Sequence, residues 1–170
     1  REFLQQADLI SLKEGGKLYT AYHYVIAANL YLEESNNDSA RVCFQKALKL
    51  LEHEDHYKIK YYSYFSNSSF LFEQNQFDES KRVLEDLYAI AVKNNAKMNQ
   101  AELLTELGAI ENQKDEYQKA YAYLKQAEPL IPKNTYSYVK FNFLYHLAHV
   151  EFNMGNNAAA ITHLKAVLSL

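Results

Sequence analysis

Tryptophan is absent from this sequence, cysteine occurs once, proline twice and glycine four times. Each scarcity excludes something. One cysteine, Cys43, allows no internal disulfide, so no cross-linked secreted scaffold is encoded here. Six glycines and prolines in 170 residues leave few places to break a helix, which predicts long helices joined by short turns. No apolar run approaches the roughly 18 residues of a membrane-spanning helix. No block of basic residues stands out and the net charge is −3, so the electrostatic footprint of a nucleic-acid binder is missing. Nucleic acid and membrane are therefore not expected as partners of this segment, and the reducing cytoplasm is the simpler location, although a periplasmic sensor segment would also lack disulfides. What is plentiful is apolar and aromatic. Hydrophobic residues make up 48% of the chain, with 15 Tyr and 9 Phe, enough to bury a core and leave aromatics for a binding surface.

The apolar residues repeat. Ala40, Ser80, Ala120 and Ala160 lie 40 residues apart. Four positions after each comes Phe44, Leu84, Leu124 or Leu164, and three further on Ala47, Leu87, Ala127 or Val167. Twelve positions before each anchor stand Ala28, Ser68, Gly108 and Ala148, preceded by Tyr24, Tyr64, Leu104 and Leu144. Spacings of three and four put these residues on one face of a helix. The small ones let two helices approach and the large ones fill the remaining space. Polar strings such as Ser35-Asn36-Asn37-Asp38 and Met154-Gly155-Asn156-Asn157 mark turns inside each copy. Gly155 reads as a helix stop, and Asp38 and Asp78 as N-caps of second helices.

The third copy, with Leu104, Leu107-Gly108, Glu111, Ala120, Leu124, Ala127 and Pro132, resembles the tetratricopeptide (TPR) pattern. The period is 40 instead of the usual ~34, as in the TPR-type arrays of bacterial signalling regulators. The added length, as from Leu51 to Tyr61, reads as longer helices. HEAT-like repeats share the longer period, but the small-residue columns favour the TPR reading. The resemblance implies an all-α, right-handed α-solenoid of antiparallel helix pairs with about eight to nine helices. Four repeats would run approximately over 17–55, 56–95, 96–133 and 134–170. Residues 1–14, with Leu4 and Ala7 in the columns of Phe44 and Ala47, would be the second helix of a truncated preceding repeat. Both ends read as cut from a longer protein.

In proteins of this family the first helix of each pair lines the concave face that holds the ligand. Carried over by column, that face would offer Tyr22 and Asn29, then Tyr62, Phe65 and Phe72, then Asn112, then Asn142, Tyr145, His149 and Phe152. Val25, Thr105 and Ala109 fall in the same columns. Amide side chains can donate to and accept from a peptide backbone, and Tyr and Phe serve as anchors. The expected ligand is an extended peptide or a partner helix. Val25 and Phe65 stand where carboxylate-clamping family members place a basic residue, which argues against a C-terminal carboxylate as ligand.

No catalytic or cofactor pattern emerges. Glu14-Gly15-Gly16-Lys17 lacks the spacing of a phosphate loop, and no nucleophile elbow is present. His53-Glu54-Asp55-His56 reads as a solvated junction, because four adjacent side chains cannot converge on one ion. His146 and His149 share a helix face but lack a third ligand, and read as one packed and one groove-facing residue. Cys43 reads as a small buried hydrophobe. The expectation is a protein- or peptide-binding segment of a larger bacterial signalling or transcription-regulating protein, with no enzyme activity, metal or cofactor. A structural scaffold that self-associates or assembles several proteins is the alternative.

Overall fold

A computed structural model describes residues 16–132 and 138–169, and the helix expected over 1–14 lies outside the described residues. Eight α-helices run in order among the described residues: α1 (Gly16–Glu33), α2 (Asn37–Leu51), α3 (Tyr57–Glu73), α4 (Phe77–Lys93), α5 (Lys97–Gln113), α6 (Tyr117–Ala127), α7 (Tyr138–Asn153) and α8 (Asn157–Leu168). No strand occurs among the described residues. The chain divides into two compact units, Arg1–Gln74 and Asn75–Leu170.

The starts of α2, α4, α6 and α8 are spaced by 40 residues, and the turn before each has one cause. Ser35, Asn75, Asp115 and Gly155 all adopt positive φ, at 57°, 58°, 60° and 81°. A residue in this left-handed conformation reverses the chain just past a helix end and lets later N–H groups reach back to the last carbonyls. Thus Asn36 N–H donates to Tyr31 O at 2.8 Å, Glu116 N–H to Glu111 O at 2.9 Å and Asn156 N–H to Glu151 O at 2.7 Å. Only Gly155 takes this conformation without a Cβ penalty. Ser35 is exposed and its strain is unrelieved by any local carboxamide, so Ser35→Gly should raise stability by about 0.5–1 kcal/mol, seen as a Tm increase of about 2 °C. An unchanged or lower Tm would show that the entropy lost by glycine outweighs the strain.

The caps differ from the sequence expectation. Asn36, not Asp38, caps α2, its Oδ1 accepting from Ser39 N–H at 3.2 Å. Gln76 precedes α4, while Asp78 lies in its first turn and pairs with Lys114 at 2.6 Å. Both aspartates still sit where a helix dipole favours negative charge. The added length of the repeat is also not all helix. α2 stops at Leu51 and five residues pass before α3, where His56 Nδ1 accepts from Ile59 N–H at 3.4 Å. α4 does extend to Lys93, whereas α6 gives way after Ala127 to a 3₁₀ turn over Glu128–Leu130 that contains Pro129.

The core of the first unit gathers Ala21, Val25, Ala28, Ala40, Phe44, Ala47, Leu51 and Phe70, with the Phe44 and Phe70 rings 5.4 Å apart. Cys43 is buried in this cluster and forms no disulfide. In the second unit Leu104, Ala120, Leu124 and Ala127 meet Phe143, Leu147 and Val150 of α7. At Gly108 α5 lies so near α6 that a Cβ would stand 3.2 Å from Ala120 O and 3.0 Å from Leu124. Two buried carboxylates also tie helices together in this unit. Glu111 on α5 accepts from Lys81 Nζ on α4 at 2.6 Å, and Glu151 on α7 contacts His163 on α8 at 2.6 Å.

Candidate partner-binding surface

In the first unit, α1 and α3 lie side by side and present Tyr22 and Tyr62, each 39% exposed, with ring centroids 5.5 Å apart. Asn29 Nδ2 donates to the Tyr62 hydroxyl at 3.3 Å, which fixes the orientation of that ring. Phe65 is half-buried and stacks on Tyr61 at 5.7 Å with an interplanar angle of 14°, and Tyr61 in turn meets Tyr57 at 5.8 Å. Phe72 is half-buried near the end of α3. The sequence columns thus bring Tyr22, Asn29 and Tyr62 into one patch, while Phe65 belongs to an aromatic ladder along α3.

In the second unit, α5 and α7 are neighbours. Asn142 Nδ2 donates to Glu106 Oε1 at 2.7 Å, and Asn153 Nδ2 donates to Asn112 Oδ1 at 2.9 Å. Tyr145 and His149 are exposed, with ring centroids 4.4 Å apart. His149 and Phe152 also line a groove of about 420 Å³ between α7 and α8, with Ala148, Ala160, Ile161 and Leu164.

The amides therefore have a role the sequence did not reveal. Asn29, Asn112 and Asn142 each cross-link neighbouring first helices. Their partners lie 33, 41 and 36 residues away, offsets that follow no single column. Val25, Thr105 and Ala109 are a correction to the column-based face: all three are buried, and the Thr105 hydroxyl donates to Ala101 O at 2.8 Å. α5, packed by α4, α6 and α7, buries most of its length, so these column positions are not offered to a ligand there.

Burial sets two unusual titrations. Desolvation raises Glu106 from 4.5 to about 7, against the opposing hydrogen bond from Asn142 and with help from the Glu102 charge. Desolvation lowers His146 from 6.5 to about 4, assisted by His149. His146 is thus the packed, neutral member of the histidine pair and His149 the exposed one. Among the described residues no group of three or more His, Cys, Asp or Glu is arranged to hold a metal, and no helix is long and apolar enough to cross a membrane.

The tetratricopeptide repeat family model matches residues 22–50 and 141–170. These spans cover α1–α2 and α7–α8, the first and last described pairs. The chain carries tetratricopeptide repeats.

No curated protein sequence matches the chain significantly. Similar solved structures show the same fold. A Podosopora anserina structure of nearly identical TPR-like repeats, assigned to a kinesin light chain, has a TM-score of 0.76 at 17% identity over 99% of this chain and 83% of its own. The apo form of RapI has a TM-score of 0.82 at 17% identity, covering 96% of this chain and 46% of RapI. A Pyrococcus horikoshii signal transduction ATPase with numerous domains and a tetratricopeptide repeat sensor has a TM-score of 0.76 at 13% identity, over 95% of this chain and 28% of the ATPase. The TPR fold generally serves as a non-catalytic protein-interaction module, and its arrays act in binding and scaffolding.

Proposed function

We propose that this chain is the protein- or peptide-binding segment of a larger bacterial signalling or transcription-regulating protein, with its partner held on the first helices of the pairs. In this reading four repeats run approximately over 17–55, 56–95, 96–133 and 134–170. The observation that carries it is the Tyr22–Tyr62 patch, where two exposed aromatic rings meet and Asn29 donates to the Tyr62 hydroxyl. Rings held in place lose little entropy when a partner covers them, which is what an anchor needs. In the second unit, Tyr145 and His149 are exposed rings on α7, Tyr145 one column further along than Tyr22 and Tyr62. Support for the signalling context is the likeness to the Pyrococcus signal transduction ATPase, whose tetratricopeptide repeats are a sensor.

The test is retention of ligands from native host lysate and spent medium by the immobilised chain, read by mass spectrometry. One specific peptide or protein should be retained, and Tyr62→Ala should reduce its affinity about tenfold or more while leaving helicity and Tm nearly unchanged. Retention indifferent to Tyr62→Ala and to Tyr145→Ala would remove the first helices as the binding face. The scaffold alternative is favoured by a different observation, the exposed Phe152, Ile161, Leu164 and Leu168 of the last pair. It requires concentration-dependent oligomers in sedimentation and no peptide ligand.

A further inference from the structure

We propose that the cleft between α1 and α2 is a binding site for a small phosphate monoester with a compact apolar body. The cleft is lined by Lys17, Thr20 and Tyr24 of α1, by Lys46, Lys49 and Leu50 of α2, and by His53 and Glu54 just past α2. Its volume of about 400 Å³ falls in the ~300–1,000 Å³ range of small-molecule sites. Residues three and four apart share a helix face, so each helix contributes one stripe to the lining. The basic residues are scattered along the sequence, and only the packing of α1 on α2 gathers them in one place.

The charge of the lining runs against that of the chain. Three lysines against Glu54 leave it at +2 with His53 neutral, in a chain whose net charge is −3. None of these lysines makes an ion pair among the described residues. Lys46 Nζ instead stands 5.0 Å from the centre of the Tyr24 ring. A cation in the last turn of α2 complements the helix dipole, which accounts for Lys49 alone. The repeat does not require the cluster either. The column of Lys46 continues as Asp86, Gln126 and Ala166, and that of Lys49 as Ala89, Pro129 and Ser169. Ammonium groups hold phosphate as point charges, without the fork geometry that carboxylates take from arginine. A phosphate monoester brings a charge of about −1.5 to −2 at neutral pH and so matches several lysines better than a carboxylate does. Tyr24 and Leu50 are half-buried, and buried Thr20 spends its hydroxyl hydrogen on Gly16 O at 3.1 Å, so beside the ammonium groups the cleft offers apolar surface. Tyr22, two residues from both Thr20 and Tyr24, lies on the far side of α1, so this site is separate from the Tyr22–Tyr62 patch.

The probe is phenyl phosphate, titrated into the full chain at low salt and followed by NMR amide shifts, with inorganic phosphate and phenol as comparators. Saturable binding with a Kd below about 1 mM is expected, with shifts concentrated on residues 17–24 and 46–54. Phenyl phosphate should bind about fivefold or more tighter than either comparator, because each lacks one half of the recognised chemistry. Lys46→Gln and Lys49→Gln, both at exposed positions, should each weaken it about threefold or more and together about tenfold or more, with helicity unchanged. Lys93→Gln, an exposed charge on α4, should leave binding as it was. Equal weakening by Lys93→Gln, or equal affinity for inorganic phosphate, would reduce the effect to general charge attraction and overturn the proposal. No saturable shift across the millimolar range would overturn it as well. Saturation of the same amides by a hexaglutamate peptide but not by phenyl phosphate would overturn it in favour of an acidic protein partner.

Discussion

Replacing Glu106 with glutamine is expected to stabilise the protein by about 2–3 kcal/mol at pH 8 and to expose a pH dependence that the native chain conceals. Glu106 titrates near 7 in the folded protein instead of 4.5 because burial between α5 and α7 disfavours its charge. A carboxyl raised in this way contributes its stability fully below the unfolded value. That contribution is lost as pH rises from 4.5 through about 7, where folding demands a buried charge. His146 has the opposite sign. Its folded value of about 4, against 6.5, gives stability present above 6.5 and lost as pH falls towards 4. Over the shared window from 4.5 to 6.5 each group contributes a slope of about 1.4 kcal/mol per pH unit, and the two cancel. The native protein should therefore show nearly level urea midpoints across that window. Glu106→Gln keeps an acceptor for Asn142 and should become more stable as pH rises. His146→Gln should become less stable as pH rises. Parallel profiles for all three proteins would show that neither group is shifted.

Lys81→Ala is the second large effect, an expected loss of about 3 kcal/mol at neutral pH. Glu111 is 2% exposed, and its oxygen lies 2.6 Å from the Lys81 ammonium. Removing the cation leaves a carboxylate inside the packed face between α4 and α5 with its ionic partner gone. Pairing with Glu111 is the main reason the Lys81 ammonium is held above its ordinary value, and Glu85 at 3.9 Å adds little because it is exposed. The double variant Lys81→Ala with Glu111→Leu should recover most of the loss, since an apolar side chain needs no partner there. Equal destabilisation by the single and double variants in urea titrations would show that the lysine's other contacts, including its ammonium 5.9 Å from the Tyr123 ring centroid, matter more than its pairing with Glu111.

Much of this architecture was legible in the sequence because it rests on volume. Ala40, Ser80 and Ala120 are buried where helices meet, and Phe44, Leu84 and Leu124 fill the space beside them. Residue size at a fixed spacing encodes such contacts directly. The turn column of Ser35, Asn75, Asp115 and Gly155 was half legible: Gly155 announced itself, while the others take the same left-handed turn with ordinary side chains. The exposed surface was less legible. Val25 and Tyr145 share a column, yet one is buried and the other exposed, since exposure depends on how many helices surround a position. Column arithmetic could not see that Asn112 and Asn142 reach sideways to α7 and α5, because side-chain reach blurs a 40-residue spacing. The shifted titrations of Glu106 and His146, which occupy one column, were invisible for the same reason.

The layout of α7 has an evolutionary corollary. Phe143, Leu147 and Val150 are committed to packing, while Tyr145 and His149, interleaved with them, face solvent. Mutations at the interleaved positions alter what the surface displays with little effect on the fold beneath. Selection can thus redirect a lineage towards new partners in single steps, each nearly neutral for folding. Recognition can drift while the scaffold stays conserved in shape, and sequences that share this backbone have room to diverge widely.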